Sequence, residues 1–292
     1  MYELTQAAEN VYFIESPSKM GLMVEGGEAI LIDSGNGKDA AKKALRHISE
    51  NGWRLKAILN THHHADHIGG NAFLQAQTGA PAYAKGTCAV YAREPVSGVA
   101  MLFGGLPPKQ VYQNKMILAE PSNVRDVSDF PLPGGATLIP LPGHCPDMFG
   151  VMTKEGVCFL ADSLSGEQVL QKYHVTLLYD VAAHLETLSM IENLSAALFV
   201  PSHAPAVADI RPLARMNRQK TEEIAELILR LTQGGSTLED VLKHVIEHYN
   251  IFQNIYQYTL TRTTVLSYLT YLVDKGLAAL EVADGKAVYR RL

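Results

Sequence analysis

The sequence predicts an α/β protein whose chemistry sits on one rim of its strands. Short apolar runs of strand length alternate with stretches of helical periodicity. Four of those runs stop at a metal-capable side chain, namely His62, His144, Asp162 and His203. Between a strand and a helix, the six residues His62 to His67 hold four histidines and an aspartate. A loop between a strand end and a helix start is where a rigid scaffold leaves room for chemistry.

In chain order, residues 11–14, 20–24 and 29–32 read as an antiparallel meander of three strands separated by short polar or glycine turns. Asp33 closes the third, either as a turn former or as a group that orients a metal ligand from behind. Residues 38–50 place Ala41, Ala44, Leu45 and Ile48 on one helical face and Lys42, Lys43, Arg46 and Glu50 largely on the other. Asn51-Gly52 stops that helix. A buried strand at 55–59, a helix at 68–78 and a strand at 81–84 follow. Residues 87–133 interleave prolines and glycines with Met101, Leu102 and Phe103. They predict a broken excursion with little regular structure, either covering a pocket or serving as a plain insertion. Strands resume at 137–141, 149–153, 157–160 and 197–200, with a helix at 181–194.

Residues 211–231 predict a long helix. Ser236 to Glu239 reads as a capping box that opens a second helix to about residue 249. A third helix spans 259–274, with Val265, Leu266, Leu269, Leu272 and Val273 on its apolar side and Gly276 at its end. Strands at 277–282 and 287–290 are joined by Asp284-Gly285, a hairpin turn signal. Three helices and a terminal hairpin resemble a winged helix. From Arg211 onward 11 Lys and Arg stand against 9 Asp and Glu, a balance of +2 with no basic stripe. With Tyr268 and Tyr271 on the third helix, packing or homodimerisation is favoured over contact with nucleic acid. The expected domains are 1–210, carrying the 87–133 excursion, and 211–292.

Composition narrows the class. Hydrophobic residues at 47% and charged residues at 19% suit a globular protein with a sizeable core. A net charge of −5 gives no general attraction to nucleic acid or anionic membrane. No apolar run approaches the ~20 residues of a membrane span, and the first residues carry no signal-peptide pattern. Cys88, Cys145 and Cys158 show no paired spacing, so a reducing cytoplasm is expected.

The string His62-x-His64-x-Asp66-His67 sets neutral imidazoles and a carboxylate on one tight turn, a donor set for zinc or iron. An accidental surface tract would not alternate with Asp and run into Gly69-Gly70. His63 points the other way by alternation. Tyr173, His174 and His184 neighbour Asp162 in sequence only, and Cys145 beside His144 reads as a buried, inert thiol.

Here the chain resembles the metallo-β-lactamase superfamily. The matching pieces are 31–35, 61–70, Pro142-Gly143-His144, Ala161-Asp162-Ser163 and Pro201-Ser202-His203, in the family's order. The resemblance covers roughly residues 8–210 and implies an αββα sandwich with metals at one end of two facing sheets. It implies two divalent ions, zinc first and manganese or iron as substitutes. His62, His64 and His144 would hold one ion; Asp66, His67 and His203 would hold the other. Asp162 would bridge them, and Asp33 would support a ligand. Two such ions hold a bridging hydroxide near neutral pH, with Asp66 as the catalytic residue beside it. The resemblance thus implies a hydrolase for a small ester, thioester or lactone. An endoribonuclease and a mononuclear iron persulfide dioxygenase of the same fold are the alternatives, and a metal-bound scaffold that catalyses nothing is a further one. The chain departs from the family at Ala161, where glycine is common, and around Cys145 to Asp147 and Ala204.

Overall fold

The computed structural model describes residues 2–114 and 116–292. The chain divides into two compact units. The first runs to Leu141 and adds Pro146–Leu164 and Ser195–Asp209; the second comprises Pro142–Cys145, Ser165–Leu194 and Ile210–Leu292.

In the first unit, β1 (Leu4–Ala8), β2 (Val11–Ile14), β3 (Met20–Glu25) and β4 (Glu28–Ile32) run antiparallel in succession. Helix α1 (Lys38–Glu50) buries Ala40, Ala41, Ala44 and Ile48. It carries the chain back so that β5 (Arg54–Leu59) lies parallel to β4. A parallel neighbour needs such a crossover, whereas a hairpin suffices for an antiparallel one. Helices α2 (Ala65–Ile68) and α3 (Asn71–Thr78) lead to β6 (Ala82–Ala84). Then α4 (Gly86–Arg93), α5 (Pro95–Phe103) and α6 (Lys109–Tyr112) lead to β7 (Val124–Asp126). Both strands are again parallel to their predecessors, and the seven form one sheet in chain order. A second sheet holds β8 (Thr137–Pro140), β9 (Phe149–Met152), β10 (Val157–Ser165) and β11 (Leu198–His203), in the order β11-β10-β9-β8.

The two sheets face each other. Val11, Phe13, Ile30, Ile32 and Leu59 of the first share one apolar cluster with Phe149, Val151, Phe159 and Val200 of the second. Alternate residues of each strand supply it, as the two-residue period requires. Gly21 on β3 makes the approach possible, since a Cβ there would stand 2.6 Å from the Phe159 ring.

The second unit holds α7 (Glu167–Tyr173), α8 (Val181–Glu192), α9 (Arg211–Leu231), α10 (Leu238–His248) and α11 (Ile255–Asp274). It ends in the hairpin β12 (Ala278–Ala283) and β13 (Lys286–Arg291). Val181, Ile228, Val241, Val245, Val265 and Leu269 are part of its core. Asp284 (φ +50) and Gly285 (φ +73) make the turn with both central residues left-handed, as a two-residue hairpin prefers. Helix α9 starts at Arg211, where the sequence sets its boundary, but α7, α8 and Pro142–Cys145 belong to this unit as well. No helix among the described residues is long and apolar enough to cross a membrane.

Several elements differ from expectation. The stretch 87–133 is largely regular, because Pro95 occupies the first turn of α5, where its missing N–H costs nothing. Strand β1 and helix α7 have no counterpart in the sequence reading. The capping box of α10 is Thr237 with Asp240, one residue later than Ser236 with Glu239. Ser236 is already engaged: its backbone pairs with Tyr289, and its hydroxyl donates to the Leu231 carbonyl at 2.7 Å. On α11 Leu266 is exposed and Tyr268 is buried. The inward stripe runs through Thr261, Thr264, Val265, Tyr268, Leu269 and Leu272, which is i, i+3/i+4 spacing.

Candidate metal centre

The loop after β5 and the first turn of α2 place His62, His64, Asp66 and His67. The His67 carbonyl accepts from Ser34 N (2.7 Å) and from Asn60 Nδ2 (3.2 Å), so buried donors fix this turn. Asp162 lies within β10 and His203 is the last residue of β11, so neither follows a strand end as expected. Ala161, just before Asp162, takes φ +49, a region that favours glycine.

Asp66, His67, Asp162 and His203 each offer one ligand atom, all within 4.8 Å of one another. His67 Nε2 lies 3.1 Å from Asp162 Oδ1, and His203 Nε2 lies 3.2 Å from Asp162 Oδ2. His203 Nε2 is 3.4 Å and His67 Nε2 is 3.5 Å from Asp66 Oδ2. The ring centroids of His62 and His64 are 4.7 Å apart, and His62 Nε2 is 3.8 Å from Asp162 Oδ2.

The hydrogen bonds behind these rings assign their tautomers. Asp33 Oδ2 accepts from His67 Nδ1 at 2.8 Å and from Thr61 Oγ1 at 2.8 Å, while Oδ1 accepts from Thr61 N at 2.8 Å. With its one proton given to Asp33, the Thr61 hydroxyl accepts from His62 Nδ1 at 3.1 Å. His203 Nδ1 donates to the Pro17 carbonyl and His144 Nδ1 to the Leu177 carbonyl, each at 2.9 Å. Four rings are thereby locked through Nδ1, which leaves Nε2 as the coordinating nitrogen.

A neutral imidazole in this tautomer aims a lone pair at a carboxylate oxygen, which repels unless a cation stands between them. In the metal-free protein that cation is a proton. Burial pushes the His203 ring down, but Asp162 and Asp66 more than reverse this and carry it to about 10. Burial likewise opposes, and Asp162, Asp66 and Asp33 raise, the His67 ring. Burial works to raise the carboxyl groups of Asp66 and Asp162, yet the adjacent histidines hold both well below the usual carboxylate range. Two ionised, half-buried carboxylates and convergent imidazoles fit a divalent cation such as zinc, manganese or iron.

His144 stands on the stretch grouped with the second unit. His63 is buried, its Nδ1 3.5 Å from Cys88 Sγ and its ring against Tyr91. His174 stacks on Tyr249, and Tyr173 is exposed. His184 packs under Gly143, and burial, then His144 and Arg218, push it down to about 3. All three cysteines are buried and unbridged. Sequence reasoning missed Ser18, whose hydroxyl donates to Asp66 Oδ2, and Pro17, whose carbonyl holds His203. Both sit in the turn between β2 and β3, where no local signal marks them. Thr61 is marked in the sequence only by its position before the cluster.

The profile of the metallo-beta-lactamase superfamily matches residues 8–203. A hydroxyacylglutathione hydrolase from Cereibacter sphaeroides is 31% identical over 139 residues, 47% of this chain and 44% of that protein. An atrochrysone carboxyl ACP thioesterase from Aspergillus chevalieri is 24% identical over 237 residues, 77% of this chain and 66% of that protein. A match to the hydroxyacylglutathione hydrolase of Methylococcus capsulatus is 45% identical but spans only 22% of that protein. The chain thus covers from about a fifth to two thirds of these curated relatives. Among solved structures, a metallo-beta-lactamase family protein from Thermus thermophilus superposes with a TM-score of 0.71 at 23% identity, covering 98% of this chain and 100% of that one. A beta-lactamase domain protein from Burkholderia ambifaria gives 0.74 at 18% identity, covering 99% and 94%. These two likenesses share the fold along nearly the whole chain.

Proposed function

Because the chain belongs to the metallo-β-lactamase superfamily, we propose that it is a binuclear metallohydrolase acting on a small thioester or related ester. One observation carries this reading: the Asp66, His67, Asp162 and His203 donors converge, with the histidines fixed through Nδ1. In the proposed assignment His62, His64 and His144 hold one ion, Asp66, His67 and His203 hold the other, and Asp162 is shared.

Bound there, the ions would supply a hydroxide at neutral pH and a Lewis acid for the oxygen that becomes negative. The protein's own groups do the rest. Asp33 and Thr61 keep His62 and His67 in the coordinating tautomer. The Ser18 hydroxyl donates to Asp66 Oδ2 and fixes which carboxylate edge faces inward. Asp66, held ionised, accepts a hydrogen bond from the nucleophile and orients it. The preference for thioesters rests on the relatives, named for an ACP thioesterase and for hydrolysis of acylglutathione.

The test is metal content per chain on protein purified without added metal, followed by ester, thioester, lactone and RNA panels. About two zinc or manganese ions and thioester turnover lost in Asp66→Ala are expected. One iron per chain, or RNA cleavage in place of acyl hydrolysis, would overturn the proposal.

A further inference from the structure

The turn between β2 and β3 supports the donors of the first unit with four hydrogen bonds. His203 Nδ1 donates to the Pro17 carbonyl at 2.9 Å, and Ser18 Oγ donates to Asp66 Oδ2. Lys19 supplies the other two and closes on both sides of His203. Its N–H donates to the Ser202 carbonyl at 3.1 Å, and its Nζ donates to the Ala204 carbonyl at 2.7 Å. His203 is the last residue of β11, so the chain leaves the sheet just where Lys19 grips it. The Lys19 side chain is only 9% exposed, and it pairs with Glu15 Oε2 at 3.4 Å. An ammonium drawn out of water is costly unless its donors are matched, and here one of them is matched by the backbone next to a proposed ligand. Ser202 and Ala204 are themselves buried, so truncating Lys19 would leave the Ala204 carbonyl without its charged donor. The four bonds reach two of the three ligands proposed for one ion, Asp66 and His203. They reach none of those proposed for the other ion alone.

We propose that Lys19 is a positioning residue for the ion held by Asp66, His67 and His203: by fixing the strand end that carries His203, it sets how tightly this second ion is bound and leaves the first to other supports. The inference rests on the binuclear reading above. Removing a partner that supports a ligand typically weakens metal binding about 10–100-fold, so a selective loss of that size is expected for one ion of the two.

The experiment titrates zinc into the full metal-free chain in competition with a chromophoric chelator, for the parent and for Lys19→Met. Methionine fills the space of the lysine stem with neither charge nor N–H donor. The variant should bind the second ion about 10–100-fold more weakly and the first within about threefold of the parent. Retention of the first ion also reports that the variant is folded. Equal weakening of both ions, or of neither, overturns the proposal. Amide hydrogen exchange on the metal-free protein supplies a readout that needs no ion. Lys19→Met should lower the protection factor at residue 19, whose N–H is bonded to Ser202, by about tenfold and leave β4 unchanged. Unchanged protection at residue 19 likewise overturns the proposal. A parent that takes up a single ion sinks the binuclear reading instead. The role of Lys19 is then upheld if that ion weakens together with the protection at residue 19, and overturned if both stay as in the parent.

Discussion

Asp33→Asn is the sharpest perturbation of the centre, because it leaves shape and backbone alone. Asp33 sits at φ +60 and is buried. Asparagine tolerates that left-handed conformation as aspartate does, whereas alanine would add strain. The carboxylate accepts three hydrogen bonds: from His67 Nδ1, Thr61 Oγ1 and Thr61 N. An amide meets a conflict in either orientation. If its oxygen faces His67, its NH2 meets the Thr61 N–H donor. If it is flipped, the NH2 faces His67 Nδ1 and drives that ring to carry its proton on Nε2, the nitrogen that would coordinate. The loss is one hydrogen bond to a charged group, about 1.5–3 kcal/mol. That agrees with the 10–100-fold loss in metal affinity typical when a ligand's supporting partner is removed. The assay is zinc affinity by competition with a chromophoric chelator, alongside a thermal melt of the metal-free protein. An affinity within about twofold of the parent, in a protein that still folds, would refute the claim that Asp33 sets the His67 tautomer.

Metal binding should release protons. The His203 ring, carried to about 10, is protonated at pH 7.5 in the metal-free state, and His67 is shifted in the same direction, so at least one proton should leave. Calorimetry in buffers of differing ionisation enthalpy counts them, and a count near zero contradicts the assignment. The sign for stability follows: the His203 contribution to the metal-free fold is complete below about pH 6.5 and fades as pH rises through about 10. Denaturant midpoints of chelator-treated protein should therefore fall across that window. In the second unit, the Thr264 hydroxyl donates to Leu260 O and accepts from Leu178 N, next to the Leu177 carbonyl that holds His144. Thr264→Val should cost about 1–3 kcal/mol by leaving a buried N–H unmatched, and metal retained after dialysis should drop. Urea unfolding and elemental analysis check both. Leu269→Ala, at a fully buried position of that core, should cost about 2–5 kcal/mol in the same urea assay.

What the sequence discloses follows from the range of the forces involved. The meander, α1, β5 and the terminal hairpin are legible because a strand's two-residue period and a helix's 3.6-residue period are local properties. Asp284-Gly285 is legible because few residues take two left-handed positions in a row. The stretch 87–133 reads as broken only while proline counts as a breaker, and its place at a helix start depends on where the helix begins. Leu266 and Tyr268 exchange roles because the side chain that turns inward on α11 depends on the helix's phase against distant partners. The chemistry divides the same way. The His62 to His67 string announces a donor set through residue type and spacing. Ser18, Pro17 and the Leu177 carbonyl announce nothing, since their roles arise only when distant turns meet Asp66, His203 and His144.

The stretch Pro142–Cys145 shows why the C-terminal helices are more than an appendage. The Pro142 carbonyl accepts from Thr187 Oγ1 at 2.7 Å, and the Gly143 carbonyl accepts from Tyr179 N and Asp180 N, each at 2.9 Å. Gly143 adopts φ +128, and a Cβ there would stand 2.5 Å from the His184 backbone. Every one of these partners, like Leu177, belongs to the second unit. The loop that presents His144 is therefore shaped by α8 and the residues before it, and Leu178 is tied in turn to Thr264 on α11. With this proposed ligand held by the second unit's hydrogen bonds, a chain cut at residue 210 is a poor substitute for the whole. Such a fragment keeps α8 but loses α9 and α11, against which it packs. It should retain less metal than the full chain even where its sheets still form.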